Sequence, residues 1–197
     1  MDYFLIKGHF HVVKYSPDGD SLMFKAENPK HWDLIQSEFR AEFETNFASD
    51  EARVQLRLQG VDALETHYSP MPLPAPKEVG TLTFSGAIKP VPGRFKQPQE
   101  LAAAATEKLL SILGVSKSTW TSTRQFIQSI EVKKGTATET FSEKGKDGLP
   151  GYIVVNDIEQ KGRPISWVFA GAPAVADGSQ IPSAQLEKIL KTSANYQ

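Results

Sequence analysis

The sequence contains no cysteine among its 197 residues. Disulfide bonds, thiolate metal ligands and a thiol nucleophile are therefore excluded, and the redox state of the compartment is left open. An excess of charge of one sign is also lacking, because 22 basic residues face 23 acidic residues and the net charge is −1. Many nucleic-acid-binding domains are strongly basic, although a balanced total is compatible with a local positive cleft.

Long apolar runs and the features of a secretory leader are lacking as well. No segment approaches the roughly eighteen apolar residues of a membrane-spanning helix. The N-terminal sequence MDYFLIKGHFHVVKYS has no basic region before a long apolar run and no small-residue cleavage site. These features favour a cytoplasmic protein, although trimming of the chain would remove such evidence. With 40% hydrophobic residues, the chain can bury a core as one elaborated domain or two small ones.

Strand and turn signals dominate the first third of the sequence. Residues 3–28 predict a hairpin, because two strand-like segments flank the turn-forming sequence SPDGDS. Residues 29–47 carry large apolar side chains at spacings of three and four, which predicts a short amphipathic helix. Residues 53–61 alternate apolar and polar side chains, which predicts a half-buried strand. The alternation then ends, and Asp62 and Glu65 follow within a few residues.

The rest of the sequence mixes short strands with two helices. The proline-rich sequence YSPMPLPAP predicts a loop or extended chain, and residues 79–88 an additional strand. Residues 97–114 and 183–197 predict helices, and residues 124–142 two weak strands. The segments GYIVVNDIE and RPISWVFAG flank QKG and predict a second hairpin. Strands outnumber helices, so the pattern favours a small β-barrel or sandwich with packed helices.

Three separated stretches together resemble the staphylococcal nuclease, or thermonuclease, family. They are PDGDS at 17–21, VQLRLQGVDALETH at 54–67 and KGRPISWVFAG at 161–171. A hairpin turn with DGD comes first, a strand ending in R-x-x-x-V-D-x-x-E follows, and G-R-x-x-x-x-V-F comes after a helix. A lone DGD carries little information, whereas all three stretches in this order are a specific resemblance.

The resemblance implies both a fold and an activity. The fold is an OB-type five-stranded barrel with packed helices, of the α+β class and mainly β. It implies a single domain over residues 1–197, with insertions near 29–52 and 68–150 relative to the family. The implied activity is calcium-dependent hydrolysis of phosphodiester bonds in DNA and/or RNA. Ca²⁺ is therefore the expected cofactor, and nucleic acid is the expected substrate and partner.

The same resemblance assigns metal ligands in this sequence. Asp20 and Asp62 are similar to the family's metal-binding carboxylates, and Ala63 corresponds to its backbone carbonyl ligand. The chemistry agrees with this assignment, because calcium is a hard ion that takes oxygen ligands. Two carboxylates and a carbonyl leave coordination positions for waters and for the phosphate.

The resemblance also assigns three residues that act on the phosphate. Arg57 and Arg163 correspond to the phosphate-binding arginines, and Glu65 corresponds to the glutamate beside the attacking water. Phosphodiester cleavage builds negative charge on the phosphoryl oxygens, and guanidinium groups present planar paired donors to two such oxygens. A carboxylate nearby can orient or deprotonate a water.

The sequence departs from the family pattern at several places. Leu64 stands where proline usually precedes the glutamate, and Lys161 stands where tyrosine often precedes Gly-Arg. The 68–150 region is longer than the family's usual connection. The family commonly continues past the helix predicted near 184–196, so we expect a shortened form of the family domain.

Two other functions compete with the nuclease interpretation. One is a noncatalytic OB-fold module that binds nucleic acid or protein, and the other is an interaction domain of a defence or repair system. The presence of all five site side chains favours the enzyme, because binding alone does not require Glu65. His9 and His11 share a strand face, but without a third ligand we interpret them as ordinary strand residues. Aromatic residues at 167 and 169 are interpreted as barrel wall.

Overall fold

A computed structural model of the chain describes residues 2–63, 99–122 and 126–196. The sequence predictions for the proline-rich loop, for a strand at 79–88 and for Glu65 lie outside these described residues. No helix within the described ranges has the length and apolar character needed to cross a membrane. The described strands are β1 (Tyr3–His11), β2 (Ser21–Ala26), β3 (Val54–Leu58), β4 (Val115–Trp120), β5 (Ile127–Lys134), β6 (Ala137–Phe141), β7 (Leu149–Ile158), β8 (Pro164–Ala170) and β9 (Gln180–Ile181). The helices are a 3₁₀ helix (Pro29–Leu34), α1 (Arg40–Ser49), α2 (Gln99–Ile112) and α3 (Ser183–Leu190).

Five of the strands form a closed barrel. Their order is β1, β2, β3, β8 and β7, and β7 pairs with β1 to close the circle. The pairs are antiparallel except for β3 and β8, which run parallel with Arg57 opposite Ile165 and Leu58 opposite Ser166. The short strand β9 pairs with the start of β1. The prediction of an OB-fold-like barrel in a mainly β, α+β fold is confirmed.

The two predicted hairpins build most of this barrel. β1 and β2 flank the turn that contains DGD, and β7 and β8 flank the QKG turn, where Gly162 has a φ of 74°. A positive φ suits glycine because it has no Cβ. Side chains also alternate along β3, where Val54, Leu56 and Leu58 are buried and Gln55 and Arg57 lie on the outer face.

A second, three-stranded sheet lies outside the barrel. β4, β5 and β6 pair in that order, and α2 packs against β4. β5 and β6 confirm the two weak strands expected within 124–142. β4 was not predicted, because its sequence VSKSTW is mostly polar and Val115 is its one buried residue. Gly114 ends α2 with a φ of 92°, as its position at the end of the helical pattern predicted.

A row of aromatic side chains connects the barrel interior to α1. The ring centroids of Phe10 and Phe24 lie 5.1 Å apart, and those of Phe24 and Trp32 lie 6.2 Å apart. Trp32 continues the row to Phe43 of α1 at 5.2 Å. All four side chains are fully buried. The row therefore packs α1 onto one end of the barrel core.

The single helix predicted for residues 29–47 is wrong. The segment instead divides into the 3₁₀ helix and α1, and Ile35 between them is extended with φ −89° and ψ 112°. The side chain of Asn28 accepts a hydrogen bond from Lys30 N and begins the 3₁₀ helix. Ser37 Oγ donates to Ile158 O at 3.2 Å, which ties the break to β7. The apolar side chains do have helical spacing, but tertiary contacts break the helix in the middle of the segment.

The C-terminal helix is shorter than predicted, because α3 ends at Leu190 and not near residue 196. Its apolar face packs on Trp167 and Phe169 outside the barrel, which confirms their interpretation as barrel wall. After α3 the chain returns to the barrel, and Ala194 N donates to Val168 O at 2.7 Å.

Asn195 links the ends of β3 and β8. Its Oδ1 accepts from Val168 N at 2.8 Å, and its Nδ2 donates to Gln59 O at 2.9 Å and Ser166 O at 3.0 Å. One side chain thereby satisfies three backbone groups at the place where the two strands diverge.

A buried carboxylate fixes the end of β1. Asp147 Oδ2 accepts hydrogen bonds from Val12 N at 2.6 Å and Val13 N at 2.7 Å, and Oδ1 lies 3.2 Å from His11 Nδ1. Burial raises the pKa of Asp147, but the His11 and backbone contacts outweigh burial and hold that pKa below its ordinary value. His11 is thus the partner of a carboxylate from the loop before β7.

We predict that Asp147→Asn lowers the free energy of unfolding at pH 7 by about 1.5–3 kcal/mol, the usual range for hydrogen bonds to a charged group. The folded pKa lies below the unfolded value of about 3.9, so the carboxylate's stabilisation is present above that value. It is lost as the pH falls through the folded pKa. Urea unfolding at pH 7 and at lower pH measures the difference between the variant and the wild type.

The control is Glu139→Gln, which removes an exposed carboxylate paired with Lys134 at 2.8 Å. Exposed pairs contribute about 0–1 kcal/mol, so this variant should remain close to the wild type. A stability difference for Asp147→Asn that stays constant from pH 7 to pH 3 would contradict the prediction.

Candidate functional site

The DGD turn holds its last aspartate at the edge of the barrel. Asp20 O accepts a hydrogen bond from Leu58 N at 2.8 Å, which joins the turn to β3. A methyl group on Gly19 would lie 2.8 Å from the Cβ atoms of both Ala63 and Ala105. Because carbon atoms pack best at about 3.5–4.0 Å, only glycine allows α2 and the chain after β3 to approach this turn so closely.

Arg57 brings two of the predicted metal ligands together. Its Nη1 donates to Asp20 Oδ2 at 2.5 Å, and its Nη2 donates to Asp62 Oδ1 at 3.0 Å. Ala63 N donates to the same oxygen of Asp20 at 3.1 Å. Arg57 lies on the outer face of β3, opposite Ser21 of β2. Four of the six predicted site residues therefore meet at one end of the barrel.

The two carboxylates differ sharply in exposure. The side chain of Asp20 is 4% exposed, whereas that of Asp62 is 93% exposed. Burial lowers the pKa of Arg57, but the contacts with Asp62 and Asp20 outweigh burial and raise that pKa above its ordinary value. Asp20 is thus a buried carboxylate paired with the Arg57 guanidinium group, and Asp62 is a solvent-facing carboxylate.

Two carboxylates and the backbone of Ala63 meet at this place around the Arg57 guanidinium group. Asp20 and Asp62 come from different segments and direct one oxygen each to neighbouring nitrogens of a single guanidinium group. The backbone of Ala63 adjoins the Asp20 carboxylate. Among the described residues, no group of three or more His, Cys, Asp or Glu side chains could hold a metal ion. The candidate set is therefore two carboxylates with a backbone carbonyl, a set compatible with calcium.

Arg163 lies on the same outer face of the barrel, at the start of β8. Its Nε donates to Glu159 Oε1 at 2.6 Å. Burial raises the pKa of Glu159, but the contact with Arg163 outweighs burial and lowers that pKa. Arg163 lines a depression together with Gln55, which precedes Arg57 by two residues on β3. Gln55 and Arg57 are two residues apart on the strand, a distance of about 7 Å. Gln55 therefore lies between Arg57 and the depression that Arg163 lines.

Further polar residues line this depression and were not predicted, among them Tyr15, Asp50 and Arg53. Arg53 is 6% exposed, and Tyr15 OH donates to Asp50 Oδ2 at 2.7 Å. One sequence feature points to Arg53. Residues 53, 55 and 57 alternate with the buried apolar residues of β3, so all three lie on the outer side of the strand. The neighbouring sequence does not indicate the hydrogen bond between Tyr15 and Asp50, because the two residues are 35 positions apart.

Comparison of the chain with protein-family models, with curated proteins and with solved structures gave no match. The structure brings Asp20, Arg57, Asp62 and Ala63 together and places Arg163 on the same face. Glu65 lies outside the described residues.

We predict that Gly19→Ala lowers the free energy of unfolding by about 1–3 kcal/mol, because overpacking forces neighbours apart. The added methyl group would press on Ala63 and Ala105, which flank the Asp20 turn. Calcium affinity should fall with it, as measured by isothermal titration. A double-mutant cycle with Ala105→Gly provides the control, because that change removes one of the two contacts. An equal cost of Gly19→Ala in both backgrounds would show that the Ala105 contact is not responsible.

Proposed function

We propose that this chain is a calcium-dependent nuclease that hydrolyses phosphodiester bonds of DNA and/or RNA, in the manner of the staphylococcal nuclease family. The observation that supports the proposal best is the convergence of Asp20, Asp62 and Arg57 at one end of an OB-fold-like barrel. Two carboxylates and a guanidinium group in mutual contact are the groups that metal-assisted phosphoryl chemistry requires.

Arg57 contacts the phosphate in this proposal. In the structure both of its terminal nitrogens donate to carboxylates, and its side chain is 26% exposed. To bind a phosphoryl group with paired donors, Arg57 exchanges a carboxylate partner for phosphate oxygens. The exposed Asp62 is the partner that is released more easily, whereas the buried Asp20 keeps its contact.

Asp20, Asp62 and the carbonyl of Ala63 would hold the calcium ion. When bound, the ion supplies positive charge that polarises the phosphoryl group and stabilises charge that develops on its oxygens. Asp20 is suited to this role because its backbone is hydrogen-bonded to β3 and its Oδ2 accepts from Arg57 Nη1 and Ala63 N. The protein thereby prepares the position of one ligand before any cation binds.

Arg163 and Glu65 complete the proposed site. Arg163 supplies a second guanidinium group from the residue before β8, and its contact with Glu159 fixes the direction of the side chain. Glu65 follows Asp62 by three residues and is proposed to orient or deprotonate the attacking water. Charge that builds on the phosphoryl oxygens is then stabilised from two neighbouring strands.

The direct test is cleavage of a fluorescent single-stranded DNA oligonucleotide by the purified protein with calcium. A parallel reaction contains a chelator, and a second substrate of RNA measures the preference between the two polymers. Calcium-dependent cleavage supports the proposal. Binding of the oligonucleotide without cleavage under any of these conditions would instead identify a noncatalytic OB-fold module.

The two arginines give a sharper prediction, because only Arg57 touches the proposed calcium ligands. Arg57→Lys and Arg163→Lys both lose the paired planar donors, so each should lower the single-turnover rate by about 10² or more. Arg57→Lys should also change calcium affinity, whereas Arg163→Lys should leave it unchanged and so serves as the matched control.

Rates and calcium titrations on both variants decide between the possible outcomes. A normal cleavage rate in Arg163→Lys would mean that Arg163 does not contact the phosphate. An unchanged calcium affinity in Arg57→Lys would mean that the cation does not share oxygens with the guanidinium group.

We also predict that Glu65→Gln folds and binds nucleotide but cleaves slowly. The change is nearly isosteric and removes charge and basicity, and general base catalysis contributes about 10² to 10⁴ in rate. Thermal unfolding checks the fold, and single-turnover cleavage at saturating calcium measures the effect. Cleavage at the wild-type rate would remove Glu65 from the water-activating role.

A further inference from the structure

A groove runs along the outer face of β2 and β3, beside the proposed site. We call it the α1 groove, because the C-terminal half of α1 forms one of its walls. Its volume is about 550 Å³, within the usual range for ligand sites. The lining residues are Tyr15, Met23, Asn46, Asp50, Arg53, Gln55, Lys161 and Arg163.

The wall formed by α1 is an integral part of the fold. Phe43 holds the helix on the aromatic row that starts inside the barrel. A Cβ on Gly162 would lie 2.6–2.7 Å from backbone atoms of α1, so the helix rests directly on the β7–β8 turn. Asn46 Nδ2 donates to Lys161 O at 2.8 Å across the same boundary. The groove therefore has fixed sides, as a preformed binding site requires.

Arg53 is a buried cation at the base of the groove. Its side chain is 7% exposed and lies under Gly145, and its Nη1 donates to Glu51 Oε2 at 2.7 Å. Its Nε is buried and has no hydrogen-bond partner in the described part of the chain. Glu51 and Ala52 precede it with left-handed φ values of 51° and 61°. Strained non-glycine residues of this kind cluster at binding sites.

The acidic group in the groove is already paired. Asp50 accepts from Tyr15 OH and from Lys144 Nζ, which lies 3.0 Å from Asp50 Oδ1 and above the Tyr15 ring. The contacts with Tyr15 and Lys144 outweigh burial and hold the pKa of Asp50 below its ordinary value. Three cations line the groove, of which Arg53 pairs with Glu51 and Arg163 pairs with Glu159, both outside the lining.

The α1 groove is continuous with the surroundings of Arg57. A second depression shares Tyr15, Met23 and Gln55 with it and extends to Ser21. Ser21 is the residue opposite Arg57 in the β2–β3 pair. A polymer that passes Arg57 can thus continue along the outer face of β3 into the α1 groove.

We propose that the α1 groove binds the nucleotide next to the scissile phosphate on a single strand of nucleic acid. The phosphate of that nucleotide lies towards Lys161 and the charge of Arg53, and the nucleoside lies over Met23 and Gln55. This inference rests on the proposed nuclease function. It adds a subsite that α1 and the turn before β3 build, and Arg163 is the one lining residue that the family resemblance also assigns.

The test is binding of a fluorescent single-stranded DNA octamer, measured by anisotropy with a chelator present so that no cleavage occurs. Asn46→Asp introduces a negative charge into the α1 groove and should weaken binding about 5–10-fold at low salt. The matched control is Thr45→Asp, which adds the same charge on the adjacent exposed position of α1, outside the groove lining. Thr45→Asp should bind as the wild type does.

Lys161→Gln gives a second readout that does not depend on packing of α1. Loss of one phosphate contact should reduce the slope of log affinity against log salt by about 0.7, the value for single strands. Equal binding by Asn46→Asp and Thr45→Asp, with an unchanged salt slope for Lys161→Gln, overturns the subsite and leaves the nuclease proposal standing.

The remaining outcomes separate the two proposals. Weakened binding by the groove variants, in a protein that cleaves nothing with calcium, supports the α1 groove and overturns the proposed catalysis. Failure of the wild-type protein to bind the octamer overturns the α1 groove, and cleavage with calcium then decides the nuclease proposal separately. Circular dichroism of each variant verifies that the fold is retained.

Discussion

The barrel depends on a short parallel contact between β3 and β8. Only two residue pairs, beginning with Arg57 opposite Ile165, form its ladder. Gln59 N then donates to Ser166 O, and the side chain of Asn195 continues the contact where the strands separate. Without this closure, β3 and β8 would each present an open edge with unpaired backbone groups. The segment after α3 thus reinforces the closure that the β3–β8 pair makes.

The candidate site occupies the place where this closure ends. β3 leaves the barrel after Leu58, and within five residues the chain carries Asp62 back to Arg57. The DGD turn reaches the same point from β2, because Leu58 N holds the backbone of Asp20. The divergence of two strands therefore creates the room in which the carboxylates and the guanidinium group meet. Irregular backbone at the end of a regular barrel is a common position for functional groups.

The sequence predicted those parts of the molecule whose determinants are local. The alternation of Val54, Leu56 and Leu58 predicted β3, and the turn residues of SPDGDS predicted the first hairpin. The meeting of Asp20 with Arg57 followed from a resemblance of motifs in the right order.

Other parts depended on contacts between distant residues and could not be predicted. Nothing near Asn195 in the sequence indicates that it binds Gln59 and Ser166. The burial of Arg53 requires Gly145, which lies on the loop before β7. The break between the 3₁₀ helix and α1 depends on the contact of Ser37 with β7. In each case the deciding partner is far along the chain, where local propensity carries no information.

The aromatic row from Phe10 to Phe43 has a consequence for the order in which the molecule opens. Helices that merely rest on a surface can detach locally at a small cost in free energy, and their amides then exchange with solvent early. α1 cannot detach in this way without exposing Trp32, which packs against Phe24 inside the barrel. The helix and the barrel therefore belong to one cooperative unit. This helix forms a wall of the α1 groove, so the groove opens only when the hydrophobic core opens.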